Sequence, residues 1–507
     1  MINNGNFFPG ILAYPSLPIY LCTTIQYLTF KYDSFTKSKH FDETLKAEMY
    51  PFYSNANLIL NVRYFVSIIS AIIILLLTLL TYKLSNSYLA TIWCFLFCSV
   101  SQLFEYHSKN YVNIDIFVTF FVCLNIFYFI FSKNLSSTFY DIVIPGILTG
   151  FVIASKYPHG IIIVIYLIKL FNFQKGEILV SMYKSILLFL ISLITFFLCC
   201  PYTLIFSKMW INSLIAQREI YNNGWIGYTV IPGLSNLILQ FKQLIYEFGI
   251  LPLIFFFIGT FYLIIKHKRF GIGIITYFFL FLLYYCSFPI NLVRNLLPLY
   301  ILVPFISALG FYFILTFFKS YSKHLYFLIA IFPLLAFTSP YSSYKRNFLP
   351  NSLESRNLAI VKITSEIPTG SKIFISSEIG LNLNKLNGYE IQEVNFLNTK
   401  EHNKTLDNLI INDDHYYVIP KFASDLRWPN DYQIAQDLNN KYKIKNLIFF
   451  VKGRIGGSDN YLNLSSAGVL TNYLPPVPWG NPSIYIGKGL VVTNPLPNET
   501  LINERNF

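Results

Sequence analysis

From Phe65 to Tyr82 the chain runs without a charged residue (FVSIISAIIILLLTLLTY), and that run decides its solvent. A stretch of about 20 apolar residues matches the hydrocarbon thickness of a bilayer when coiled as a helix. Inside lipid every backbone N–H and C=O must be bonded within the chain, which a helix achieves by itself. Comparable runs cover residues 65–83, 88–105, 114–132, 141–155, 159–173, 185–205, 248–265, 271–288, 295–318 and 325–340. The sequence therefore predicts a polytopic α-helical membrane protein with about ten transmembrane helices. Several runs are short for a full crossing. The pair meeting around Lys156–His159 is the weakest, and a broken or re-entrant hairpin is its alternative.

Composition agrees. Hydrophobic residues make up 54% and charged residues 12%, against about 25% charged in soluble domains. The net charge of +13 would suggest nucleic acid in a soluble protein, but here the basic residues sit in short loops between apolar runs. One alternating set of loops holds Lys83, Lys133, Lys169, Lys175, Lys184, Lys266, Lys268, Arg269, Lys319 and Lys323, with Glu177 as its clear acid. The positive-inside rule puts these loops in the cytoplasm. It puts residues 1–64, 206–247 and the C-terminal region outside. An inner (plasma) membrane location with an extracytoplasmic C-terminal domain follows.

Three regions are expected. Residues 1–64 form part of an external loop, with Ile11–Phe30 as an interfacial or partly embedded helix interrupted by Pro15 and Pro18. Residues 65–341 form the helical membrane domain. Residues 342–507 form a soluble α/β or α+β domain: Lys372–Ser376, Tyr416–Ile419, Lys445–Val451 and Ser483–Ile486 read as strands, and Arg356–Glu366 has helical spacing. The seven cysteines all lie in or beside apolar runs, so no disulfide framework is implied, and no Cys/His metal spacing is visible. Met1–Pro18 lacks the basic and apolar segments of a signal peptide.

Four clusters stand at the outer ends of spans. Glu105, His107 and Lys109 precede Asp115, which opens an apolar helix. An acid there is costly unless paired or wet, or it caps the helix. Lys156, Tyr157 and His159 lie in ASKYPHG. They suit a phosphate held by charge-assisted hydrogen bonds, or an ordinary turn with a snorkelling lysine. Arg294 and Asn295 begin a span, where Arg294 is either an anion ligand or an interfacial anchor. Cys200-Pro-Tyr202 leads into an amphipathic stretch ending near Arg218 and Glu219, which fits a helix lying on the membrane. Lys109, Lys156 and Arg294 share one face and are candidates to converge on one anionic group, as a lipid-linked phosphate would require. Trp428-Pro-Asn-Asp431 in the C-terminal domain is an acceptor-contact candidate or an exposed turn.

These stretches resemble, in order, motifs of glycosyltransferase family 39, the dolichyl-phosphate-mannose-protein mannosyltransferase-like group with the GT-C fold. Asn6-Phe-Phe-Pro and Tyr14-Pro-Ser-Leu17 are similar to the first external loop, and Val62-Arg63 to the start of the next helix. His107–Asp115 is similar to the second acidic motif, and GFVIASKYPHG (150–160) to the following hairpin. Pro201-Tyr202, Arg294-Asn-Leu-Leu-Pro298 with Pro304, and Gly480–Ile486 are similar to later motifs. The resemblance implies transfer of a sugar from a polyprenyl-phosphate-linked donor to a glycan, lipid or protein acceptor on the extracytoplasmic face. A carboxylate would activate the acceptor hydroxyl. Basic residues or a divalent ion would stabilise the departing phosphate. It implies catalytic roles for Asp115 and Glu105, and substrate contacts for Tyr14, His107, Lys109, Lys156, Tyr157, His159, Arg294 and Asn295. One departure matters: the family's first transmembrane helix and first external Asp-Glu pair have no counterpart, and Asp42-Glu43 falls after the YPSL segment rather than before it. The rival readings are a transporter or flippase of lipid-linked substrate, and a catalytically degenerate fragment or scaffold. Neither an internal repeat nor a charged residue at a span centre favours transport.

Overall fold

Each of the first nine apolar runs is helical in the computed structural model, because a helix meets every backbone bond without water. The structure describes residues 15–36, 56–109, 114–132, 139–171, 177–223, 230–319, 355–376, 379, 381–394, 413–420, 442–451 and 484–492, with isolated positions 324, 331 and 337. Tyr14, Trp428–Asp431 and nearly all of the run 325–340 lie outside them. The chain divides into two units, Met1–Gly224 with Val230–Phe348, and Trp225–Thr229 with Leu349–Phe507.

In the first unit α1 is Leu17–Thr36, α2 Ala56–Ser85, α3 Tyr88–Ser99, α4 Gln102–Lys109 and α5 Ile114–Phe131. A π-helical turn, Phe139–Val143, leads into α6, Ile144–Ser155. A 3₁₀ turn, Tyr157–Ile163, leads into α7, Val164–Leu170. Then come α8 Glu177–Cys199, α9 Tyr202–Ile205, α10 Ser207–Asn223, α11 Leu234–Phe248, α12 Ile250–Lys266, α13 Lys268–Cys286 and, after the 3₁₀ turn Val293–Leu296, α14 Leu297–Lys319. Among the described residues, five helices are long and apolar enough to cross a bilayer, six if the bent pair α11–α12 counts as one span. The helices Tyr88–Ser99, Phe139–Ser155 and Tyr157–Leu170 are apolar but shorter. The expected 88–105 run breaks after Ser99 into two helices, with Ser101 at the break bonded to Glu247 and to the Phe104 amide. Lys156 separates α6 from the 3₁₀ turn in an extended conformation (φ −162°, ψ 112°), so the weakest expected pair is a broken one.

Burial separates centre from rim. The span window in α14 is 67% buried, while that of α8 is 17% buried, with Leu179, Ile186, Ile194 and Leu198 exposed on α8. Apolar side chains turned outward all along a span are what lipid contact requires. The innermost contact is α12 against α14. A Cβ added at Gly259 would lie 1.9 Å from the Ile306 carbonyl oxygen, and one at Gly310 2.0 Å from that of Phe255. Two glycines thus let the backbones touch, as small residues do between membrane helices. Trp93 of α3 fills the adjoining core, stacked on Phe311 at 4.7 Å, and its indole N–H donates to Ser307 Oγ at 3.0 Å.

The second unit, described by itself, contains α15, Ser355–Glu366, and strands β1 Lys372–Ser376, β2 Glu390–Val394, β3 Tyr416–Pro420, β4 Tyr442–Val451 and β5 Ile484–Val492. The strand order is β2-β1-β3-β5-β4. β1 pairs in parallel with β2 and β3, and β5 pairs antiparallel with β3 and β4. Ala359 and Ile363 of α15 pack on Ile373, Ile375, Val418, Ile484 and Ile486. Phe374, Tyr417, Ile419 and Leu490 form a second apolar layer on the opposite face, as period-two alternation demands. The fold is a polytopic helical membrane domain joined to a mixed-sheet α/β domain.

Candidate active site at one end of the helical bundle

Asp115 is the second residue of α5, where helix amides lack internal partners and an acid suits the dipole. Its side chain is 1% exposed. The Lys156 ammonium forms an ion pair with Oδ1, and Arg294 Nε stands 3.9 Å from Oδ2. Thus α5, the α6 break and the turn before α14 deliver three charged groups to one end of the bundle. Asp115 lies 41 residues before Lys156 and Arg294 138 residues after it, so this is a tertiary arrangement.

Lys156 reaches inward because the helix stops at Ser155 and the next residue is extended. Besides Asp115 it donates to Asn295 Oδ1 at 2.7 Å. Asn295 Nδ2 donates to the Tyr221 hydroxyl at 2.7 Å. The His159 ring lies between Tyr277, whose hydroxyl is 3.1 Å from Nδ1, and the Asn295 carbonyl oxygen, 3.0 Å from Nε2. A carbonyl only accepts, so Nε2 carries the proton and Nδ1 accepts from Tyr277. The ring also stacks on Phe281 at 3.9 Å. His159 is therefore a core strut that orients Asn295, rather than a surface phosphate ligand.

His107, on α4, is buried and within electrostatic reach of Asp115, Arg294 and Lys156. Burial pushes its pKa down to about 4, against the opposing pull of Asp115, so the ring is neutral near pH 7. Two cations, Lys156 and Arg294, then face one carboxylate. Arg294, with a side chain 33% exposed, stands at the rim.

The candidates named on sequence divide accordingly. Asp115, Lys156, Arg294, Asn295 and His107 come together, and His159 supports them from behind. Tyr157 is drawn elsewhere: its hydroxyl accepts from Trp210 Nε1 of α10 at 3.1 Å, and its ring meets Phe196 edge-on. Glu105 and Lys109 belong to α4; their side chains, like Tyr14, lie outside the described residues. The expected convergence on a free anion is corrected in one respect: Lys156 is committed to Asp115 and Asn295, because an unpaired ammonium buried this deeply is too costly. No group of three His, Cys, Asp or Glu side chains gathers among the described residues. Both Asp115 oxygens face cations, so this carboxylate does not suit a divalent ion.

Sequence reasoning missed Tyr221, Tyr277 and Trp210, and it missed a buried polar stripe on α11. Asn236, Gln240, Gln243 and Glu247 follow helical spacing of four, three and four residues. That periodicity was the available signal in a segment read only as a long external loop.

No protein-family model matches the chain, and no curated protein matches it. Among solved structures, two of the Archaeoglobus fulgidus oligosaccharyltransferase are similar. The complex with Zn and sulfate gives a TM-score of 0.44 at 11% identity, covering 86% of this chain and 63% of that one. The apo form gives 0.45 at 11% identity, covering 86% and 65%. The chain thus spans less than two thirds of the length of the structures it matches.

Proposed function

We propose that the protein is a GT-C-type membrane glycosyltransferase that takes a sugar from a polyprenyl-phosphate-linked donor at the end of the bundle holding Asp115. The observation that carries this reading is a guanidinium open to the rim: Arg294, a third exposed, stands beside a buried Asp115–Lys156 pair, where a phosphate head group anchored by its isoprenoid tail would arrive. Arg294 makes charge-assisted hydrogen bonds to the leaving phosphate. Asp115, with both oxygens toward cations, is not a free base; it holds Lys156 and Arg294 in place. Glu105 of α4 is the proposed carboxylate that takes the acceptor's proton, with Lys109 a second phosphate contact and His107 an uncharged wall. The reaction breaks the bond from anomeric carbon to phosphate oxygen and forms one to the acceptor oxygen, releasing polyprenyl phosphate. The ordered resemblance to family 39 motifs across the chain supports the same reading, and the proposal extends to an extracytoplasmic site in the plasma membrane and a role in envelope glycosylation.

The test is transfer by the purified chain in lipid vesicles, using radiolabelled polyprenyl-phosphate mannose, glucose, galactose and arabinose with a cell-envelope extract as acceptor. The reading expects transfer from at least one donor, abolished by Glu105→Gln and by Asp115→Asn. Transfer that survives both substitutions, or none from any donor, contradicts it.

A further inference from the structure

α11 presents Asn236, Gln240, Gln243 and Glu247 along one buried face. Each reaches a segment that supplies or adjoins the Asp115 cluster. Gln240 Nε2 donates to Asn291 Oδ1 at 3.0 Å, three residues before Arg294. Gln243 Oε1 accepts from the Tyr300 hydroxyl at 3.0 Å, five residues after Asn295. Asn236 Nδ2 donates to the Phe288 carbonyl at 3.3 Å. Glu247 turns the other way. Its Oε1 accepts from Ser101 Oγ at 2.6 Å and from the Leu103 amide at 3.0 Å, and Ser101 Oγ accepts in turn from the Phe104 amide at 3.4 Å.

A buried carboxylate is expensive unless hydrogen-bonded. Here it does part of what an N-cap residue does, taking up the first-turn amide of Leu103 and the hydroxyl of Ser101, which itself takes up the Phe104 amide, and facing the positive end of the α4 dipole. It does so from 144 residues away. Helix α4 is short, eight residues with little apolar surface, and such a helix does not hold itself in water or at an interface. At its far end Ser67 Oγ of α2 donates to the Ser108 carbonyl at 3.1 Å.

We propose that α11 is a brace that sets the distance between His107 and Arg294, with Glu247 the positioning residue that holds α4 from a distance. The inference builds on the proposed transferase reading for its kinetic consequence, and on geometry alone for the rest.

The experiment compares full-length wild type, Glu247→Ala, Glu247→Gln and the double variant Glu247→Ala with Ser101→Asp, in lipid nanodiscs. The double variant moves the cap carboxylate to the other side of the same contact. Hydrogen exchange is followed at residues 102–109 with 114–131 as reference, and the His107 titration is followed by NMR of labelled histidine. Losing a cap is expected to speed exchange of α4 about tenfold with α5 unchanged, and to move the His107 pKa upward from about 4. Glu247→Gln, which keeps the shape and one acceptor oxygen, falls between. Ser101→Asp restores both readouts. Unchanged exchange in both single variants, or failure of Ser101→Asp to restore it, overturns the proposal. In the vesicle assay, loosened α4 lowers kcat for sugar transfer with KM for the lipid-linked donor retained; loosened α4 with wild-type kcat overturns the positioning role. A wild-type chain that transfers no sugar removes the transferase reading, while exchange and titration still decide whether Glu247 seats α4.

Discussion

Lys156 and Asp115 pair in a place nearly closed to water: the Asp115 side chain is 1% exposed and that of Lys156 10%. Two charges taken out of solvent together are tolerable; one alone is not. The pair is therefore first a structural unit, and a functional one only through what it holds beside it, Asn295 and Arg294.

Asp115→Asn or Lys156→Met alone should cost about 3–5 kcal/mol, because each leaves a charge buried without its partner. The double variant should recover a large part of that loss. Unfolding of the purified protein in detergent measures the cycle. Additive losses would show that the two residues do not depend on each other.

Arg294 behaves differently. Its side chain is a third exposed and 3.9 Å from Asp115, so its pair is worth at most about 1 kcal/mol to stability. Arg294→Ala should leave thermal unfolding nearly unchanged while reducing transfer at least about tenfold, the worth of one charge-assisted hydrogen bond. A large stability loss with normal transfer would reverse the assignment.

The glycine contact makes a prediction free of any functional reading. Gly259→Ala or Gly310→Ala places a methyl group about 2 Å from a backbone oxygen of the facing helix. α12 and α14 must then separate, at a cost of about 1–3 kcal/mol. Gly233→Ala, with nothing within 4 Å of the added Cβ but φ at +80°, should instead show only the smaller cost of left-handed backbone strain, about 1 kcal/mol. Equal losses at all three would contradict the packing.

His107 makes stability depend on pH. Its pKa falls from the usual 6.5 to about 4 on folding, so the folded ring stays neutral where the unfolded one takes a proton. The contribution is fully present above pH 6.5, is lost as pH drops from 6.5 to 4, and changes no further below that. Its size is at most about 3 kcal/mol. The difference between wild type and His107→Gln, followed by unfolding across that window, reads it; parallel profiles would mean His107 is not buried as described.

Helices and strands were legible because each is a local pattern. The uncharged run through Phe65–Tyr82 leaves one conformation open to it in lipid, and KIFIS alternates as β1 does. The gathering of Asp115, Lys156 and Arg294 at the same end of the bundle also followed from counting spans. What the charged groups do there did not. That Lys156 turns in to a carboxylate depends on an extended residue at a helix break, which spacing does not encode. Glu247 ends the 206–247 segment placed outside as a loop; its contact with Ser101 and Leu103 exists only once α11 lies against α4. His159, read as a phosphate ligand, proved to be enclosed by Tyr277 and Phe281 from a helix more than 100 residues downstream.

The role of Arg294 at the rim of the Asp115 cluster, as receiver of the lipid-linked phosphate, can be read with a photoreactive polyprenyl phosphate incorporated into vesicles with the protein. Cross-links to residues 102–109 and 293–296 that are lost in Arg294→Ala are expected. Cross-links that survive that substitution, or that fall at the opposite ends of the spans near Lys83 and Lys266–Arg269, would contradict it.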